Sequence, residues 1–247
     1  MIFSTREETT LCCTEEAARV LQKSGATITS CVASGTQLAA VGMEFLSAEG
    51  SAQTLHAGWR VALNLMEYSS GIASRTRRIV EKTQAVNPAL SVVTTRKTFP
   101  GTRKIAIKAI MAGGALPHRL GLSETVLVFK QHCAFLGGLE KFLATMEELR
   151  RRAPETKIIV EADTPEEALL IVRSGADVVQ LDKLKPAELK EIVTAIRTSN
   201  KDIAISAAGG INESNAVEYA STGIDIIVLS SVYFGRPSDI GVTLHPV

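Results

Sequence analysis

From residue 90 to residue 229 the chain repeats one pattern, a short apolar run, a loop, then a segment with helical spacing. The apolar runs are Leu90 to Thr95, Val126 to Phe129, Ile158 to Glu161, Val178 to Leu181, Ile203 to Ser206 and Ile226 to Leu229. Between them lie Ile105 to Ala112, Leu139 to Arg152, Pro165 to Arg173, Pro186 to Arg197 and Asn212 to Tyr219. Runs this short suit strands, and helices between them make parallel neighbours possible, because a parallel pair needs a long crossover. Six such strands favour a closed or open (β/α) barrel, with a doubly wound sheet as the alternative. The part before about residue 70 does not follow the pattern and is expected to be a separate small domain. In it, Thr14 opens a capping-box-like helix with an apolar stripe at Ala17, Val20 and Leu21. A turn-rich, strand-like stretch follows to Gly50. A long helix is expected from Ala52 to Thr83, bent or divided at Gly71.

The 247 residues are 45% hydrophobic and 21% charged, enough for a buried core and too apolar for disorder. Lys and Arg number 27 against 26 Asp and Glu, so the net charge of +1 excludes a globally basic nucleic-acid binder. Aromatic residues make up 4%, which leaves little for base-stacking platforms. No apolar stretch approaches a membrane span, and the N-terminus has no signal-peptide core, so a cytoplasmic protein is expected. Cys12, Cys13, Cys31 and Cys133 form no CxxC pair, which reads as reduced thiols rather than a zinc site or a disulfide framework.

In βα folds, ligands bind beyond the carboxyl ends of the strands. There this sequence places Arg96-Lys97-Thr98, then Phe129, Lys130 and His132, then Glu161 and Asp163, then Asp182-Lys183, then Gly209-Gly210, then Ser230-Ser231. An exposed strand end is often polar, which explains any one of these but not the series. No acid lies between Glu81 and Glu124, whereas Arg96, Lys97, His118 and Arg119 flank Pro and Gly loops there. Those cations suit a multiply anionic ligand, while Arg103, Lys104 and Lys108 fall within one helix and read as its solvated face. Glu161 and Asp182 can hold Mg²⁺, bind ribose hydroxyls or stabilise a developing cation, or else form ion pairs with Lys183 or Lys185. Ala208-Gly209-Gly210-Ile211, taken with Ser230-Ser231 after the next strand, matches a backbone phosphate cradle built from the last two loops of a barrel.

Several segments, in order, resemble the quinolinate phosphoribosyltransferases (nicotinate-nucleotide pyrophosphorylases). They are Trp59-Arg60-Val61-Ala62-Leu63-Asn64, Ser70-Gly71-Ile72-Ala73-Ser74, Thr95-Arg96-Lys97-Thr98-Phe99-Pro100-Gly101, His118-Arg119-Leu120-Gly121-Leu122, Val160-Glu161, Val179-Gln180-Leu181-Asp182 and Gly209-Gly210-Ile211. The stretches Phe99-Pro100-Gly101-Thr102, Leu116-Pro117-His118-Arg119 and Leu122-Ser123-Glu124-Thr125 are nearer still to the ModD branch, named for molybdenum-transport operons. The resemblance implies an α/β fold: an N-terminal α/β sandwich domain plus the open, incomplete (β/α) barrel of type II phosphoribosyltransferases. The boundaries it implies are 1–70, joined by 233–247, for the sandwich and 71–232 for the barrel. It implies transfer of phosphoribosyl from phosphoribosyl pyrophosphate (PRPP) to quinolinate or a related aromatic acid, with Mg²⁺ and release of pyrophosphate. Arg96, His118 and Arg119 would bind the acid's carboxylate, and Arg60 would reach in from the partner subunit of a homodimer. Lys97 would meet the PRPP phosphates and count, with Glu161 and Asp182, among the catalytic residues. Those two acids would hold the ribose and the metal, and Gly209, Gly210, Ser230 and Ser231 would take the 5′-phosphate.

The sequence departs from the family pattern at specific places. Phe129 stands where the family has a lysine that contacts quinolinate, and Lys130, one residue on, would leave the opposite face of a strand. A less anionic or bulkier acceptor is the expectation, with Phe129 and Lys130 both in the substrate site. Lys183 replaces an asparagine, and Pro117 replaces another. Met1 to Thr10 is unlike the family's opening helix, so a truncated or misassigned start is expected. Two readings compete with the enzyme: a non-catalytic PRPP- or nucleotide-binding accessory in molybdenum transport or cofactor metabolism, and an unrelated phosphate-binding barrel such as an aldolase. The retained pair Glu161 and Asp182 counts against the first, and the absence of a strand-interior Schiff-base lysine against the second.

Overall fold

The computed structural model describes residues 1–246. From the N-terminus the chain forms β1 (Ile2–Thr5), β2 (Thr9–Thr10), α1 (Thr14–Lys23), β3 (Thr27–Cys31), β4 (Gln37–Leu38), β5 (Glu44–Glu49) and α2 (Ala52–Val86). There follow β6 (Ser91–Thr94), α3 (Arg103–Ala112), β7 (Leu116–Pro117), β8 (Thr125–Val128), α4 (Lys130–Phe135), α5 (Leu139–Leu143) and α6 (Met146–Arg152). The chain closes with β9 (Lys157–Ala162), α7 (Pro165–Arg173), β10 (Val178–Asp182), α8 (Pro186–Ser199), β11 (Ala204–Ala208), α9 (Ala216–Ala220), β12 (Ile226–Leu229) and β13 (Ile240–Thr243). These elements fold as two units. One comprises Met1–Val80, Lys97–Leu116 and the segment from Ser231 onward; the other comprises Glu81–Arg96 and Pro117–Ser230.

The first unit carries an antiparallel sheet in the order β13-β1-β5-β3. Its core gathers Phe3, Leu11, Leu21, Phe45, Leu46 and Met66, with Leu55, Ala62 and Leu63 from the apolar stripe of α2. Further along α2, buried serines bind an extended strand instead of packing apolar groups. Ser70 Oγ accepts from the Cys12 N–H and Ser74 Oγ from the Thr10 N–H, both at 2.9 Å, and Ser69 Oγ donates to the Cys12 carbonyl at 2.9 Å. The helix is continuous through Gly71, contrary to the expected bend. The glycine serves a close approach: a Cβ there would lie 2.9 Å from the Arg236 carbonyl oxygen and 3.0 Å from Pro237 Cα. The expected cap at Thr14 is also absent. Thr14 is the first helical residue, fully buried, and the cap position falls to Cys13, whose φ of 61° is left-handed. Lys108 does not lie on a solvated face; it bridges Glu15 at 2.8 Å and Glu16 at 2.5 Å. Burial raises the Glu15 pKa, but Lys108 and Ser34 outweigh it and hold the carboxyl at about 2.

The second unit is the open barrel. Its curled sheet runs β7-β6-β12-β11-β10-β9-β8, with β6, β12, β11, β10, β9 and β8 paired in parallel. A doubly wound arrangement is thereby excluded. One device recurs at the amino ends of the strands. Asp177, just before β10, accepts the Ile158 N–H of β9 at 2.8 Å, and Asp225, just before β12, accepts the Ile205 N–H of β11 at 2.7 Å. Arginines complete each clamp: Arg150 on Asp177 at 3.0 Å and Arg197 on Asp225 at 2.6 Å. Two expected helices are shorter. The run Leu139 to Arg152 divides at Thr145, which precedes the second helix and whose Oγ1 donates back to the Phe142 carbonyl at 2.7 Å. Asn212 does not begin α9: its Oδ1 accepts the Ser214 N–H, while Asn215 Oδ1 accepts the Asn212 N–H, and these side-chain bonds replace the first turn.

Candidate active site

The six parallel strands of the barrel point their carboxyl ends to one side, so register decides which side chains meet there. Along β9, β10 and β11, Glu161 pairs with Gln180 and Gln180 with Ser206, while Asp182 pairs with Ala208 one layer nearer the mouth. Asp163 follows β9 directly, in the bend after Ala162. Carboxylate oxygens of Glu161, Asp163 and Asp182 lie within 4.8 Å of one another. Burial and the nearby Asp182 charge push the Glu161 pKa up, against a lowering hydrogen bond from Gln180. Three carboxylates this close repel unless cations join them, and hard oxygen donors are the set that Mg²⁺ takes. Asp163 was visible in the sequence as the second acid after this strand; its spacing from Glu161 was the signal for adding it to the metal pair.

Two lysines already meet the cluster. Lys183 Nζ lies 2.9 Å from Asp182, and Lys130 Nζ is paired with Asp163. The Lys130 contact corrects the sequence expectation. Strand β8 ends at Val128, Phe129 is the cap of α4 and Lys130 its first residue, so strand alternation no longer governs where Lys130 goes. Its ammonium serves the carboxylates. Phe129 is half-buried and stacks on His132, with ring centroids 5.5 Å apart and planes inclined by 26°. The His132 Nδ1 accepts the Phe129 N–H at 3.0 Å. A neutral His132 therefore carries its proton on Nε2.

At the β6 side, His118 is tied by its backbone N–H to the Thr94 carbonyl at 2.9 Å. Burial first, then the Arg119 charge, lowers the His118 pKa and so favours the neutral imidazole. Burial and the Arg96 guanidinium likewise press on Arg119. Two arginines that feel each other's charge beside a neutral imidazole form an anion-seeking group. Lys97 and Ser231, the chain neighbours of Arg96 and Ser230, and Arg60 belong to the first unit. Arg60 is exposed, with its guanidinium 4.0 Å from the centre of the Trp59 ring.

The β11 loop holds the phosphate-cradle candidates. Gly209 has φ 88°, and a Cβ on it would lie 2.5 Å from Lys183 Cγ and 2.9 Å from Asp182 Oδ1. Gly210 has φ 73° and open space where a side chain would be. The first glycine therefore lets the loop close on Asp182, and the second leaves room for a ligand. Lys183 is left-handed too, at φ 57°, with its N–H donated to the Ala208 carbonyl at 2.8 Å. Asparagine tolerates that conformation better than lysine. The Ser230 side chain is half-buried. Sequence reasoning missed Gln180 as a contact: its Nε2 donates to Glu161 Oε2 at 2.9 Å.

Comparison with known proteins divides the chain at residue 71. The family described as Quinolinate phosphoribosyl transferase, C-terminal domain, matches residues 72–242, and its N-terminal domain matches residues 1–70. A pyrophosphorylase ModD of Rhodobacter capsulatus, so named provisionally, is 42% identical over 214 residues, 87% of this chain and 82% of that protein. The human nicotinate-nucleotide pyrophosphorylase (carboxylating) is 35% identical over 190 residues, 76% of this chain and 63% of that one. The crystal structure of the nicotinate-nucleotide pyrophosphorylase of Ehrlichia chaffeensis superposes with a TM-score of 0.87 at 25% identity, covering 97% of this chain and 85% of that one. With both family domains matched and an open barrel formed by the larger one, the chain belongs to the quinolinate phosphoribosyltransferase family.

Proposed function

We propose that this protein transfers phosphoribosyl from PRPP to the ring nitrogen of an aromatic acid and releases pyrophosphate. The observation that carries the reading is the carboxylate cluster of Glu161, Asp163 and Asp182, set beside the Gly209-Gly210 loop at the strand ends. In such a transfer the acceptor nitrogen forms a bond to ribose C1 while the bond from C1 to the pyrophosphate oxygen breaks and its electron pair leaves with pyrophosphate. Positive charge grows on the ribose, and Glu161 and Asp182 would stabilise it. The amides around Gly210, with Ser230, take the 5′-phosphate. The three acids fit Mg²⁺, which when bound with PRPP would neutralise charge on the leaving group.

The acceptor carries one acid group and a flat ring. Arg96 and Arg119, with neutral His118 as a hydrogen-bond partner, hold the carboxylate. The Phe129–His132 stack offers the ring a face, and Lys130 is engaged with Asp163. A second acid group on the acceptor would therefore meet no lysine at Phe129. In a homodimer, Arg60 of one subunit would add a guanidinium to its partner's site. One observation favours the alternative of a protein that binds PRPP without turnover. Lys130 and Lys183 already neutralise two of the three acids. Pyrophosphate release from PRPP and Mg²⁺, across a panel with quinolinate, nicotinate and other aromatic acids, tests the proposal. Turnover with a monoacid supports it; PRPP binding with no turnover on any acid supports the alternative.

A further inference from the structure

Beneath the carboxylates, the inward face of three neighbouring strands carries a polar row where apolar side chains would pack better. Glu161 on β9 pairs in register with Gln180 on β10, and Gln180 with Ser206 on β11. Gln180 is 4% exposed and Ser206 1%. Strands of a covered parallel sheet ordinarily read as continuous Val, Ile and Leu, as Val178, Val179 and Leu181 of the same strand do. A buried glutamine there is justified structurally only when both ends of its amide are bonded. The Gln180 amide is bonded at one end: Nε2 donates to Glu161 Oε2 at 2.9 Å, whereas Oε1 is buried without a partner, as is Ser206 Oγ. Turning the amide over would set Oε1 against the carboxylate, so the acid fixes which way the side chain points. An unbonded buried carbonyl costs stability, and a methionine of equal length would avoid that cost. What the glutamine supplies that methionine lacks is a single directed N–H on Glu161.

We propose that Gln180 is a positioning residue that holds the Glu161 carboxylate in the orientation shared with Asp163 and Asp182. This rests on the phosphoribosyl-transfer reading for what the oriented acid does, but not for the orientation itself. Outer partners of metal-binding carboxylates, when removed, cost roughly 10–100-fold in metal affinity or rate. Gln180→Met deletes the N–H at constant length, and Gln180→Asn keeps the amide but falls short of Glu161, so both should act alike.

The first test is a crystal structure of Gln180→Met. The Glu161 carboxylate should leave its wild-type position or split between rotamers, with the melting temperature equal to or above wild type. A carboxylate that keeps its place within about 0.5 Å, the tolerance for a productive site, overturns the proposal. The second test is Mn²⁺ affinity, measured by the paramagnetic relaxation of water with and without PRPP. A loss of about 10-fold or more is expected for both variants, shrinking to under about 2-fold when Gln180→Met is made in a Glu161→Gln background. An equal loss in both backgrounds shows that the effect does not pass through Glu161 and also overturns the proposal. Wild-type protein that binds no PRPP sinks the functional reading instead, and the crystal structure then decides the role of Gln180 by itself.

Discussion

Replacing Gly209 by alanine incurs two costs, of which the adjacent Gly210 shares only one. Both glycines are left-handed, at φ 88° and 73°, so a Cβ at either costs roughly 1–2 kcal/mol of backbone strain. At Gly210 nothing lies within 4 Å of the added carbon, and the strain stands alone. At Gly209 the carbon would sit 2.5 Å from Lys183 Cγ, 2.9 Å from Asp182 Oδ1 and 2.9 Å from the Lys183 nitrogen. The lysine side chain can swing away, but the nitrogen is backbone, bonded to the Ala208 carbonyl. Overpacking of this kind costs about 1–3 kcal/mol more. Gly209→Ala should therefore be less stable than Gly210→Ala by about 1–3 kcal/mol, or about 2–12 °C in melting temperature at this chain length. Urea titrations and calorimetric melts of the two variants measure the difference directly. The functional side should differ as well. Because the displaced atoms include Asp182 Oδ1, Gly209→Ala should weaken PRPP binding even at temperatures where it is folded, as calorimetry of PRPP with Mg²⁺ would register. Equal stability for the two variants would refute the contact argument.

Lys183→Asn should raise stability by about 0.5–1 kcal/mol through relief of the left-handed backbone, and tighten Mn²⁺ binding by freeing Asp182, as a melt and a Mn²⁺ titration would show. Phe129→Lys should shift the ratio of kcat/KM for a diacid over a monoacid upward by about 10-fold, read in the pyrophosphate-release assay. Asp177→Asn should cost about 1.5–3 kcal/mol in urea unfolding, because the clamp on Ile158, Arg150 and Lys157 loses its charge. Burial raises the Glu15 pKa but Lys108 and Ser34 lower it to about 2, so its contribution is complete above the ordinary carboxylate value of 4.5. That contribution should be lost as pH falls from 4.5 toward 2, and Lys108→Met should flatten that part of the stability profile.

The barrel was legible because its strands are short, apolar and separated by helices, a pattern that arises from burial on both faces. The strand-end residues were legible for the same reason: once the strands are placed, the next residue is at the mouth. Events within a turn or two of those ends were not. Lys130 was assigned to the wrong side because β8 ends one residue earlier than its apolar run, and the helix cap at Phe129 turns the backbone before Lys130 is reached. Thr14 reads as a cap, yet Cys13 takes the left-handed position, which no local preference announces. Gly71 reads as a breaker, but its reason lies more than 160 residues away in the chain, at Arg236 and Pro237. Gln180 passed as part of a motif because a hydrogen bond between neighbouring strands leaves no periodicity to read. The family resemblance supplied what spacing could not, the roles expected of Arg96, His118 and Arg119 at the mouth.

The unbroken course of α2 bears on how this chain can be taken apart. The two family domains meet at residue 71, in the interior of a helix that runs from Ala52 to Val86. A fragment ending at residue 70 would leave its last four carbonyls without helical donors, and one starting at residue 72 would leave four amides without acceptors. It would also strip Gly71 from the segment at Arg236 to Ser238 that lies against it. The halves are therefore poor cassettes for exchange between relatives. Chimaeras spliced at the family boundary should express worse than chimaeras crossed in a loop, such as the one between β5 and α2.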